Sequence, residues 1–202
     1  MKLHYIPTSP YARIVRAMAI ETGLDGRMEL VETTIRDSKS ALLDLNPVGR
    51  VPTLVTEGGL VLSETLIICS YLDNQHERRR MIPLEIPDHW EVLALVGTAT
   101  GLMDGIITLT REQRRPDALR WSEIVDFESA RIDRCLDDFQ ARIADGCFDD
   151  RANLAEIVLG CSLGFVELRL PEIDWRRRRP DLDRWYEDFA ARPSMQKSAP
   201  PA

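Results

Sequence analysis

The 202-residue sequence is poor in several things, and each shortage narrows what it can be. It has only three histidines (His4, His76, His89) and four cysteines (Cys69, Cys135, Cys147, Cys161). The cysteines form no C-x-x-C pair, and no histidine shares a ligand spacing with them. Zinc needs clustered Cys and His donors, so no metal is expected. The thiols read as reduced and mostly buried. No apolar run reads as the roughly 20 residues that a membrane span needs. The opening Met1-Lys2-Leu3-His4-Tyr5 lacks the apolar stretch of a secretory signal. No membrane partner is therefore expected, and the default address is cytoplasmic. Internal repeats and low-complexity segments are missing too. Basic residues are outnumbered by acidic ones, 26 to 33, giving a net charge of -7. Phosphate repels such a surface, so no nucleic-acid partner is expected. Two local basic runs stand out, Arg78-Arg79-Arg80 and Arg176-Arg177-Arg178-Arg179. The first reads as linker and the second as a solvated loop.

What is present is an ordinary globular composition, 44% hydrophobic and 29% charged, in a length that suits one large domain or two small ones. The first part alternates strands and helices. Residues 2–6 are β-compatible and end at Pro7-Thr8-Ser9-Pro10, where Pro10 suits a first helical turn and Ser9 or Thr8 its cap. Residues 11–22 carry Ile14, Val15, Met18 and Ala19 at helical spacing, and Gly23 ends that helix. Further strands are expected at 28–31, 53–55 and 60–62. A short helix is expected at 38–45, and another opens at Ser63 and runs to Leu72. The order is β-α-β-α-β-β-α. The first two strands are joined through a helix and should be parallel. The last two are joined by Gly58-Gly59 and should be antiparallel. A small mixed sheet with helices on both faces follows.

Everything later reads as helix: 90–114, 121–143, the nearly all-apolar 153–168, and 182–191. Ala199-Pro200-Pro201 reads as a frayed tail. The domains are placed at 1–77 and 86–202, with residues 78–85 as the linker.

Three pieces of the first domain carry candidate chemistry. Ser9-Pro10 puts a hydroxyl at a helix N-terminus, beside unpaired N–H groups and the positive end of the dipole, where it can hold an anion or simply cap. In Asn46-Pro47-Val48-Gly49-Arg50-Val51-Pro52-Thr53-Leu54, Pro52 stands directly before a strand. A cis Val51-Pro52 bond there would turn the Val51 backbone outward to pair with a peptide-like ligand. The alternative is a trans proline opening an edge strand. In Leu62-Ser63-Glu64-Thr65, the Thr65 hydroxyl and N–H can take a carboxylate and Glu64 an ammonium group, together suiting an amino acid. The alternative is a capping pair with Ser63 as the cap.

These pieces, in this order, resemble the cytosolic glutathione transferases over nearly the whole chain. Ser9-Pro10 with Tyr11-Ala12-Arg13-Ile14-Val15-Arg16 resembles the start of a bacterial, serine-type active site. Asn46-Pro47 through Leu54 resembles the family's N-P-x-x-x-V-P-x-L loop, whose proline is cis. Leu62-Ser63-Glu64-Thr65 with Ile68 and Tyr71-Leu72 resembles its L-x-E-S-x-x-I-x-x-Y-L helix, with Thr65 in place of serine. Asn153-Leu154-Ala155-Glu156-Ile157 resembles its S/T-x-A-D-I cap, with Glu156 in place of aspartate. Ala191-Arg192-Pro193-Ser194-Met195 is similar to its last-helix ending.

The resemblance implies a thioredoxin-like first domain, an all-helical second domain, a homodimer, and glutathione as co-substrate without a metal. It implies conjugation of the glutathione thiolate to small, apolar electrophiles, as in detoxification. Glu64 and Thr65 would hold the γ-glutamyl end, Val51 the cysteinyl backbone and Arg50 the glycyl side, with Pro52 structural. Ser9 is the preferred thiol-activating group and Tyr5 the alternative. The second substrate is expected near Tyr11, Gly101, Met103 and Asp104. Two other functions remain open on the residues: a noncatalytic glutathione- or partner-binding protein, and a glutathione-dependent reductase or peroxidase. The latter is disfavoured by the lack of cysteine at positions 9 and 10.

Overall fold

The computed structural model describes residues 1–149 and 151–201, which fall into two compact units. The first comprises Met1–Ile82 together with Pro193–Ala202, and the second Pro83–Arg192. Unit 1 runs β1 (Lys2–Tyr5), α1 (Pro10–Thr22), β2 (Glu29–Glu32), α2 (Leu42–Leu45), β3 (Thr53–Val55), β4 (Val61–Ser63) and α3 (Thr65–Asp73). This is the expected order. The four strands stand β2-β1-β3-β4, with β1 and β2 parallel and β3 antiparallel to both β1 and β4. The connections explain these directions: a helix returns the chain between β1 and β2, whereas Gly59, at φ 82°, lets it reverse tightly between β3 and β4.

Leu3 and Leu54 are register partners and fully buried. They pack with the buried stripe Ile14, Val15 and Met18 of α1 and with Ile68 and Leu72 of α3 to form the unit's core. Helix α1 begins with Ser9 as its cap and Pro10 in the first turn, as expected. It ends in a Schellman motif: the Gly23 N–H donates to the Ile20 carbonyl and the Leu24 N–H to that of Ala19. Gly23 has φ 74°, and a Cβ there would lie 2.6 Å from the Arg78 guanidinium carbon. The positive φ is what favours glycine here, since the guanidinium is the far end of a flexible side chain.

That contact corrects the reading of Arg78, Arg79 and Arg80 as plain linker. Arg78 donates to the Glu21 carbonyl at the end of α1, and Arg80 to the Asp73 carbonyl at the end of α3. Cations are stabilising at helix C-termini, where carbonyls lack partners. The buried Asp73 carboxylate accepts from the Met81 and Ile82 N–H groups, so the chain stays with unit 1 as far as Ile82. The division after Ile82 falls within the expected linker 78–85, whose first residues are bound to unit 1.

Unit 2 contains α4 (Asp88–Gln113), α5 (Ser122–Ala144), α6 (Leu154–Arg169) and α7 (Pro180–Ala190), with no strand among the described residues. Helix α4 is, by length and composition, apolar enough to cross a membrane, contrary to the sequence reading. Its apolar residues Leu95, Val96, Leu102, Met103 and Ile106 are buried, and α4 packs on α5 and α6. Helix α6 is buried almost throughout, and the Ser162 hydroxyl donates to the Val158 carbonyl on its own helix. The run Arg176, Arg177, Arg178 and Arg179 is not uniformly solvated. Arg179 is 1% exposed and bonds Asp133 and Asp137 of α5.

The end of the chain also departs from expectation. Pro193–Lys197 form a further helix, α8, and Met195 and Ser198 are buried in unit 1. The tail is therefore seated, not frayed, at least to Ala199, whose N–H donates to the Gln196 carbonyl.

Helix α6 opens with a complete capping box: the Asn153 side chain accepts from Ala155 and Glu156, and Glu156 accepts from the Asn153 N–H at 2.9 Å. Burial pushes the Glu156 carboxyl up to about 7 from an ordinary 4.5. A raised value means the folded unit favours the neutral acid. This stabilisation is full below about pH 4.5 and is lost as the pH climbs through about 7. Urea unfolding of unit 2 should therefore show lower stability at about pH 8.5 than at about pH 5.5, by about 2 kcal/mol from this group. Glu156→Gln should remove most of that difference.

Candidate functional site

Sheet register decides which loops meet. His4 pairs with Thr53, and Thr53 with Ser63, so three strands place these residues in one row. The turn after β1, the entry to β3 and the exit from β4 therefore leave from one edge of the sheet, on strands about 4.8 Å apart. Ser9, the Val51-Pro52 pair and Glu64-Thr65 stand on these three segments.

Ser9 caps α1 with extended backbone, and its Oγ accepts from the Ala12 N–H at 3.2 Å. A serine hydroxyl has one proton to donate besides its lone pairs. The cap uses a lone pair, and the proton has no acceptor among the described residues. Capping and anion binding are thus compatible roles for Ser9. The residue is 8% exposed, and it shares its helix end with unpaired N–H groups.

The second segment is organised by Asn46, which is 3% exposed. Its Nδ2 donates to Thr53 Oγ1 at 2.8 Å and to the Arg50 carbonyl at 3.3 Å, while its Oδ1 accepts from the Val48 N–H. Thr53 Oγ1 also donates to the Arg50 carbonyl, at 2.8 Å. One buried amide thereby closes the loop over residues 46–53. The Val51-Pro52 bond is cis, and Pro52 is buried. The Val51 N–H and C=O make no hydrogen bond among the described residues. Arg50 is exposed. In the sequence Asn46 is legible only as part of a motif; its signal is an asparagine before proline ahead of a strand, a residue type that closes loops on its own backbone.

The third segment differs from the capping alternative. Ser63 ends β4, and Glu64 occupies the cap position of α3 without a side-chain cap bond. The first bond of the helix runs from the Ile68 N–H to the Glu64 carbonyl. The N–H groups of Thr65, Leu66 and Ile67 are left without a cap. Glu64 has φ 70° and ψ 128°, a conformation that L-residues rarely adopt and that costs about 1–3 kcal/mol. Its side chain is exposed, and that of Thr65 is buried to 9% exposure with no hydroxyl partner among the described residues. An uncapped, strained helix entry is unfavourable alone and well suited to a carboxylate.

Tyr5 ends β1, half-buried, with the Arg16 guanidinium 5.5 Å from its ring centroid. Arg16 lies about two turns along α1 from Ser9. Tyr11 is half-buried in the first turn of α1. On α4, Gly101 is partly exposed and Asp104 exposed, whereas Met103 is fully buried and offers no accessible surface. No group of three His, Cys, Asp or Glu residues could hold a metal among the described residues.

The chain matches the family model "Glutathione S-transferase, N-terminal domain" over residues 3–80 and "Glutathione S-transferase, C-terminal domain" over residues 111–188. A solved glutathione S-transferase from Methylobacillus flagellatus KT with glutathione bound is 31% identical, with TM-score 0.92 and 99% of each chain covered. A glutathione transferase family member from Pseudomonas fluorescens Pf-5, also with bound glutathione, is 31% identical at TM-score 0.90, covering 100% of this chain and 99% of that one. Among curated proteins, the uncharacterized GST-like protein YibF of Escherichia coli K12 is 29% identical over 100% of this chain and 99% of its own.

The Asn46 network generates a direct test. Asn46→Ala removes two donated bonds and one accepted bond from a buried site, leaving the Thr53 and Arg50 groups short of partners. The expected loss is about 2 kcal/mol in unit 1, read by denaturant unfolding, with faster proteolytic nicking between residues 46 and 53.

Proposed function

The chain belongs to the glutathione S-transferase family, and from that premise we propose that it binds glutathione at this sheet edge and transfers the thiolate to small, apolar electrophiles. The observation that carries this reading is the uncapped entry to α3 standing at the same edge as the Ser9 hydroxyl. Glutathione has a free α-amino acid at one end, a peptide-like middle and a thiol. The α3 entry offers Thr65 N–H and hydroxyl to the carboxylate and Glu64 to the ammonium group. The Val51 backbone offers one donor and one acceptor to the cysteinyl unit, and Arg50 offers a cation to the glycyl carboxylate.

The chemistry then follows from the thiol. A free thiol with a pKa of about 8.5 is only a few per cent ionised at neutral pH. The Ser9 O–H donates to the sulfur, and the N-terminus of α1 favours negative charge there. Together they lower that pKa by roughly one or two, each step worth about 1.4 kcal/mol. The thiol proton passes to solvent. The sulfur lone pair forms the new bond to carbon, and the electrophile's leaving group departs with its bonding electrons. Holding the nucleophile in place supplies the rest of the acceleration. The four free cysteines suit a reducing compartment such as the cytoplasm.

A homodimer belongs to the same proposal. Ile67 on α3, Ile86 before α4 and Trp90 within it are large apolar side chains between 54% and 76% exposed. A two-fold pairing would cover such surface. Sedimentation at micromolar concentration should give twice the chain mass, and a monomer mass refutes the dimer.

Catalysis is tested with a generic aryl halide beside retention on immobilised glutathione. Ser9→Ala should cut the second-order rate constant roughly ten- to a thousandfold with little change in glutathione affinity. Tyr5→Phe should leave both nearly unchanged, and Thr65→Val should weaken glutathione binding. The reverse pattern for Ser9 and Tyr5 assigns activation to the phenol. Retention without turnover in the unaltered protein makes it a glutathione-binding protein without transferase activity.

A further inference from the structure

We propose that the C-terminal segment 193–199 is a clasp that sets the position of α1 and, through it, of the Ser9 hydroxyl, with Arg13 as the positioning residue. This rests on the reading of Ser9 given above. Four hydrogen bonds tie the segment to α1 from its first turn to its last. The Arg13 Nη2 donates to the Met195 carbonyl at 3.2 Å. Arg16 donates to the Lys197 carbonyl at 3.0 Å and the Ser198 carbonyl at 3.3 Å. The Ser194 hydroxyl donates to the Glu21 carboxylate at 2.5 Å.

The acceptors are carbonyls in and just after α8, where a helix leaves its last carbonyls without partners and where a guanidinium is favoured. The segment is seated: Met195 is 2% exposed and Ser194 and Ser198 are 1% and 0%.

Arg13 links the clasp to Ser9 in one step. Its backbone N–H donates to the Ser9 carbonyl at 3.0 Å, closing the first turn of α1 on the residue whose Oγ accepts from Ala12. Its Nε is buried without a hydrogen-bond partner. A buried unpaired donor is unfavourable, so the side chain sits there for the contact its Nη2 makes. Helix N-termini fray unless held, and a hydrogen bond from a hydroxyl weakens steeply when its angle changes. A first turn anchored from outside keeps the Ser9 proton aimed. Arg16, held by the Lys197 and Ser198 carbonyls, also lies over the Tyr5 ring.

The test reads the thiolate of bound glutathione by its ultraviolet absorbance across pH, beside glutathione affinity and thermal stability, in the full chain. Arg13→Ala should reduce the thiolate fraction at pH near 6.5 by about three- to tenfold. Glutathione affinity, set by Thr65 and Val51, should stay within about twofold. Arg13→Lys, which retains a donor, should recover most of the loss. Ser194→Ala removes one hydroxyl from the clasp and keeps the test open should Arg13→Ala fail to fold. It should reduce the thiolate fraction in the same direction, by about twofold. Lowered melting with an unchanged thiolate titration in these variants makes the segment purely structural and overturns the clasp. A titration unmoved by Ser9→Ala overturns the Ser9 assignment and the clasp together. One moved by Ser9→Ala but not by Arg13→Ala or Ser194→Ala overturns the clasp alone.

Discussion

The row His4–Thr53–Ser63 across β1, β3 and β4 is the constraint on which the site depends. Backbone hydrogen bonds hold these three strands in register, and a slip of one residue in any of them would turn its side chains to the other face. Leu3 and Leu54 resist that slip because both are fully buried as partners in the adjacent row. The hydrophobic core of unit 1 therefore does more than stabilise the sheet. It determines that the turn carrying Ser9, the loop carrying Val51 and the helix entry at Thr65 emerge side by side.

At that edge the structure repeatedly leaves polar groups open where a protein built only for stability would close them. Helix α6 shows the closed version, with Asn153 and Glu156 satisfying each other's orphan N–H groups. Helix α3 shows the open one, with no side-chain cap and Glu64 in a rare conformation. The two helix entries lie in the same chain, so their difference is not a matter of composition. Asn46 offsets part of this looseness by locking the neighbouring loop from behind, through Thr53 and Arg50. Rigid support next to unsatisfied groups is the arrangement that a preorganised binding site needs.

Arginine is the residue whose role changed most between sequence and structure. Arg78, Arg79 and Arg80 read as linker and Arg176, Arg177, Arg178 and Arg179 as a solvated loop, yet Arg78 and Arg80 close the C-termini of α1 and α3, as Arg13 and Arg16 do for α8. Arg179 is buried between two aspartates of α5. A planar guanidinium with five donors can reach carbonyls from distant parts of the chain. Which carbonyls it reaches is invisible in the local sequence.

The sequence by itself determined the elements of unit 1, their order and their strand directions. Those follow from local causes: period-2 and period-3.6 patterns, Ser9-Pro10 at a helix start, Gly23 at its end, and a Gly-Gly reversal. The motif residues of the candidate site were legible for the same reason, since each sits at a turn or helix entry with its own composition. Tertiary structure alone decided what those residues do with their hydrogen bonds. Ser63 reads equally well as a cap or as the end of a strand, and its pairing with Thr53 made it the latter. Met103 fits a pocket or a core by its chemistry, and its burial put it in the core. Ala199-Pro200-Pro201 looks like a tail because the prolines cannot continue a helix. Residues 193–199 leading into it are structured because α1 presents two guanidinium groups to the Met195, Lys197 and Ser198 carbonyls, across some 180 residues of intervening chain. Contacts of that range depend on the folded backbone and leave no periodic trace in the sequence.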